Sequence, residues 1–146
     1  MAVTGFLYGL LFTSLWNKEI DFDTDVIKVS LHTVSYVPAQ DTDNYFDDAT
    51  NEVAATGGYT AGGATLGSKT VTYTAGTNKH VLDGADVQWA ASTITARVAV
   101  VYDSSPATNA TRPLIGYQLS SVDIVSSGGN FDIVWNAAGI VEITVA

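Results

Sequence analysis

Residues 93–102 read TITARVAVVY. Ile94, Ala96, Val98, Val100 and Tyr102 recur at every second position, which is the period of an extended strand. Val101 and the aliphatic stem of Arg97 fall on the opposite side. The strand is therefore expected at the centre of a sheet, covered on both faces.

Working outward, the same period governs residues 26–32, where Ile27, Val29 and Leu31 alternate with Lys28, Ser30 and His32. That is the pattern of a half-buried strand, and it puts His32 on the outer, polar face. Further strands are expected at 69–74, 80–82, around Val87 and Trp89, and at 114–119, 130–135 and 140–145. Turns fall at 75–78, 126–129 and 137–139. Asp83-Gly84 is the strongest tight-turn signal, because glycine accepts the positive φ that a hairpin turn demands. About eight short strands with turns every eight to twelve residues predict an all-β fold, an antiparallel β-sandwich or jelly roll.

Two stretches break the rhythm. Residues 35–56 carry Pro38 and five acidic residues, and residues 57–67 (GGYTAGGATLG) are glycine-rich. The organisation expected is one β-sandwich domain over 26–146 with a long loop excursion at 35–68, preceded by an apolar helix or arm over 1–25. In that arm the run FLYGLLFTSLW (6–16) places Phe6, Leu7, Leu10, Leu11 and Leu15 at helical intervals. A short amphipathic helix across 5–18 follows, weakened by Gly5 and Gly9. The run is too short to span a bilayer, which needs about 20 residues. No basic residue precedes it and no small-x-small site follows, so it does not read as a signal peptide.

Composition narrows the function classes. A chain of 146 residues fits one domain, and at that size about 70% of the unfolded surface becomes buried. It holds no Cys, so stability must come from packing and strand pairing. Lys and Arg number 6 against 15 Asp and Glu, a net charge of −9. That balance argues against nucleic acid, whose phosphates need clustered cations, and against anionic membrane surfaces. Charged residues are only 14% and apolar ones 47%, so much of the surface must be small polar residues or be covered by other subunits.

Candidate chemistry is sparse. Asp21, Asp23 and Asp25 space three carboxylates as hard-cation loops do, and are weak calcium candidates. Val26 and His32 stand where an EF-hand loop needs Gly and a bidentate Glu, so that motif fails. Asp41, Asp43, Asp47 and Asp48 read as turn residues capping backbone N–H groups. His32 and His80 lack metal-binding spacing and are expected at the surface. Gly67-Ser-Lys-Thr70 misses the phosphate-loop motif by one residue and precedes a strand pattern, not a helix. Asn109-Ala-Thr111 matches a glycosylation sequon by chance. No catalytic residue, cofactor or metal is expected. The aromatics outside the strands either plug the sandwich or anchor an interface. Interface candidates are Phe6, Tyr8, Leu11, Trp16, Tyr36, Tyr45, Phe46 and Tyr59.

Several stretches together resemble a family of small virion proteins of tailed bacteriophages: NKEIDFDTDVIKV (17–29), YVPAQD (36–41), TNEV (50–53), YTAGGATL (59–66) and TITAR (93–97). Phe6–Trp16 departs from the pattern. Some members are described as head decoration or cement proteins. The resemblance implies a non-enzymatic structural protein on the capsid surface, assembled in the host cytoplasm. It would bind the major capsid protein as a homo-oligomer, a trimer, and bridge neighbouring capsid subunits. The alternative is a tail or fibre subunit, with Tyr36, Tyr45 and Tyr59 stacking on host glycan.

Overall fold

The computed structural model describes residues 3–145. It is nearly all-β: three antiparallel sheets of ten strands, with one short α-helix. Strand β7 (Thr95–Asp103) lies in the largest sheet, whose order is β1 (Val3–Leu7), β8 (Leu114–Val125), β7, β2 (Ile27–His32), β3 (Ala64–Thr65). A second sheet has the order β10 (Val141–Thr144), β5 (Lys79–Asp83), β4 (Thr70–Thr74). Strands β6 (Val87–Ser92) and β9 (Gly129–Ile133) form a separate ribbon.

The five-stranded sheet is buried on both faces, but by different means. One face packs against the ribbon and the second sheet. Ile27, Val29, Leu31, Ala99, Val101 and Ile115 meet Val87, Trp89, Phe131, Ile133 and Val141 there, as in a sandwich. The other face carries Val98, Val100, Tyr102, Leu114 and Tyr117, and is covered by Tyr8, Tyr36, Phe46 and Ala49. Three of those four covering residues come from the loop excursion. The Phe46 ring stacks on Tyr102 with centroids 3.9 Å apart and planes 11° from parallel. The loop is thus a third layer, not a solvated insertion.

The central strand departs from simple alternation. Ile94 and Ala96 join the sandwich core, whereas Val98, Val100 and Tyr102 join the loop-covered one. Between Ala96 and Val98 the pairing with β8 jumps from Ile124 to Leu119. Such a bulge rotates the chain and moves the side chains before it to the other face.

At the N-terminus the helix expected across 5–18 shortens to α1 (Leu11–Trp16), and Val3–Leu7 is an edge strand that pairs with β8. Residues 3–7 of the 1–25 segment are therefore stitched into the main sheet. Ladder bonds to residues 116–120 outweigh a helical spacing that Gly5 and Gly9 already weaken. Gly63 holds the approach to β3: at φ +74 a Cβ there would stand 1.9 Å from the carbonyl oxygen of Val29, so only glycine fits.

Candidate functional site

The buried polar groups sit where the loop excursion meets the sheet. His32, expected at the surface, is fully buried. Loop 35–50 folds over its strand face, and the ring packs beside Tyr36 and Phe46 with centroids at 5.1 and 6.2 Å. The Thr50 carbonyl, 2.8 Å from Nδ1, can only accept, so Nδ1 carries the proton. Nε2 then accepts from the Ser30 hydroxyl at 2.9 Å. Burial holds the His32 pKa below its usual value, against the opposing pull of the Thr50 carbonyl and Glu52. The imidazole is neutral, with both nitrogens engaged, and serves as a strut.

Two tyrosine chains complete the layer. The Tyr8 hydroxyl lies 2.8 Å from that of Tyr36, which donates to Asp43 Oδ2 at 2.9 Å, so Tyr8 donates to Tyr36. Asp43 also accepts the Ala39 N–H at 2.9 Å, and Asp48 accepts those of Asn44 and Tyr45, so both carboxylates cap turns of the loop. Tyr59 donates to Glu52 Oε1 at 2.6 Å and accepts the Leu31 N–H at 3.0 Å. Burial raises the pKa of Tyr8, Tyr36 and Tyr59, and lifts Tyr102 to about 12. Each of these phenols is a structural hydrogen-bonding group.

The calcium candidates form a turn that carries its own cation. Asp25 Oδ2 accepts the Asp21 N–H at 2.7 Å, and Asp21 Oδ1 accepts the Thr24 N–H at 3.3 Å. The Lys69 ammonium donates to the carbonyls of Phe22 (2.8 Å), Asp23 (3.2 Å) and Asp25, which a hard cation would otherwise need as ligands. Among the described residues no three His, Cys, Asp or Glu side chains gather as a metal site requires. Nearby, Asp103 is wholly buried. Its Oδ1 accepts the Ser105 N–H at 2.8 Å, while Oδ2 meets no donor among the described residues. Burial, with the neighbouring Asp25 carboxylate, raises the Asp103 pKa.

Burial also sorts the interface candidates. Tyr8, Leu11, Tyr36, Phe46 and Tyr59 lie inside the chain's own cores and are not available to a partner. Tyr36 and Tyr59 are lost to a glycan platform for the same reason. Tyr45 is half-buried, Phe6 is 36% exposed and stacks on Tyr117, and Trp16 is 81% exposed at the end of α1. Sequence reasoning missed Val37, which is 80% exposed, and Val125 and Val134, which are also open. Val37 lies in an irregular segment with no period to flag it, and Val125 closes β8 beyond the expected end of that strand.

A groove of about 460 Å³ runs between β1–β8 and residues 134–142, lined by Leu7, Val101, Tyr117, Val134, Trp135 and Glu142 among others. Glu142, the one carboxylate on its described wall, is paired with Lys79 at 2.7 Å. Polar and apolar groups share its lining, Gln118 and Asn136 among them, and its described wall offers no nucleophile paired with a base. Among the described residues no helix is long and apolar enough to cross a membrane. Comparison of the chain with protein-family models, with curated proteins and with solved structures finds no match in any of the three.

Proposed function

We propose that this protein is a non-enzymatic virion component that decorates a phage capsid, binding the major capsid protein as a homo-oligomer and bridging neighbouring shell subunits. The observation that carries the reading is the set of apolar side chains left open on a sparsely charged body, Trp16 and Val37 foremost. An open aromatic such as Trp16 is the kind of side chain that the cores of protein–protein interfaces bury. The buried His32, Tyr8, Tyr36, Tyr59 and Tyr102 support the same reading, since each hydrogen-bonds within the fold. The sequence resemblance to phage virion proteins supplies the capsid, and the trimeric state with it. Bound copies would favour the intact shell by mass action, because they bind the assembled form.

The test is a phage whose gene for this protein is deleted. Its heads should lack surface density in electron micrographs and should rupture at lower temperature, with both restored by adding the purified protein. Heads of unchanged density and heat resistance would refute the role. Copy number from a stained gel separates the readings, since hundreds per particle fit a shell component and a handful fit a tail tip.

A further inference from the structure

We infer that β4 is a self-association edge: it pairs antiparallel with β4 of a second copy about a two-fold axis at Thr72. The contact is a property of the free chain and does not depend on the capsid reading.

Strand β4 ends its sheet, and all five of its residues are exposed, Val71 at 49% and Tyr73 at 51%. An open edge presents a row of unpaired backbone donors and acceptors, and proteins that must stay single blunt it with charge, proline or a bulge. Here Thr70–Thr74 (TVTYT) has none of these, and its pairing with β5 is regular throughout. The other uncharged five-residue edge, β1, holds Gly5 at its centre, and its Leu7 carbonyl is already taken by Gln40 Nε2 at 2.8 Å.

Two observations make a second copy the occupant. First, the strand is nearly a palindrome about Thr72. Two-fold antiparallel pairing sets Thr70 against Thr74, Val71 against Tyr73, and Thr72 against itself. Thr–Thr and aromatic–β-branched couples are the cross-strand pairs that stabilise a sheet. Second, the local charge permits close approach. The chain carries −9, yet it has no acidic residue between Glu52 and Asp83, and Lys69, Lys79 and His80 lie in that interval. Two copies meeting hairpin to hairpin keep their acidic segments apart. The result is a continuous six-stranded sheet. Edge pairing of two short strands buries less than a standard interface, so the contact belongs to the weak class and strengthens when copies are concentrated on a surface.

The absence of Cys makes the register testable. Opposed residues in an antiparallel pair lie about 4.5–5.5 Å apart at Cα, within disulfide reach. Residues 70 of the two copies would be separated by about 13 Å. Under mild oxidation at high protein concentration, Thr72→Cys should give a covalent dimer in at least tenfold higher yield than Thr70→Cys. Light scattering over a concentration series should show the wild type rising from 15.3 kDa towards twice that mass. Val71→Lys and Tyr73→Lys should each hold the chain at the monomer mass with unchanged thermal unfolding. Equal crosslinking at 70 and 72, a wild type that stays monomeric into the millimolar range, or self-association that ignores both lysines would each overturn the assignment. Should the lysine variants unfold, the cysteine pair alone decides.

Discussion

Nδ1 of His32 lies 2.8 Å from the carbonyl oxygen of Thr50, and that bond joins the face of the main sheet to the loop that covers it. The ring is buried and its pKa is lowered, so the unfolded chain takes up a proton at a pH where the folded one does not. Stability from this group is present above about pH 6.5 and declines as the pH falls through that value towards the lower folded pKa. Unfolding temperatures of wild type and His32→Asn between pH 7.5 and 5.5 should show a steeper acid loss in the wild type. Parallel curves would contradict this.

Removing one hydroxyl tests the tyrosine chain. Tyr36→Phe leaves the Tyr8 O–H without its acceptor and Asp43 without one donor in a buried layer. The expected cost is about 1–3 kcal/mol by denaturant titration. Tyr45→Phe, whose hydroxyl bonds Glu19 in a half-buried setting, should cost less than about 1 kcal/mol.

Lys69 acts as the cation of the 21–25 turn. Lys69→Met keeps the stem and removes the ammonium from three carbonyls. A loss of about 1–3 kcal/mol should follow, in the range of charged hydrogen bonds. Calcium should leave the wild-type unfolding temperature unchanged, and a rise with calcium would show that the ion displaces the lysine.

Asp103 has the opposite sign of pH dependence. Its raised folded pKa means the folded state retains a proton that the unfolded state loses, so stability falls as pH rises from about 3.8 to the folded value. Asp103→Asn preserves the acceptor for Ser105 and turns the face towards Asp25 from repulsive to donating. It should be more stable than wild type by about 1 kcal/mol at pH 7, with the difference shrinking towards pH 4. A variant less stable at pH 7 would count against the account.

The strands at 27–32 and 95–103 were legible because period-two alternation survives wherever a sheet face is packed. What lay behind the polar half of β2 was not. Ser30 and His32 look like solvent-facing residues, and their true surroundings are set by Thr50, Tyr36 and Phe46, far along the chain. Residues 120–125 (SSVDIV) continue β8 beyond the expected end at 119 because the register jump there erases the alternation that marks a strand. The N-terminal strand was hidden by a helical spacing of leucines and by partners more than 100 residues away. Of the surface, Trp16 was visible as an apolar residue without a place in the strands. Val37 gave no local signal, whereas Val134 falls on the outward face of the strand expected at 130–135, opposite in phase to the buried Phe131 and Ile133.

The pairing of Val3 with Ser120 also sets a timetable. On the ribosome this strand emerges more than 100 residues ahead of β8, its partner among the described residues, and until then its backbone stays unpaired. The sheet can close only once residues 114–125 have emerged, so nascent chains released before then should carry β1 unpaired and expose the edge of β7 that β8 would cover.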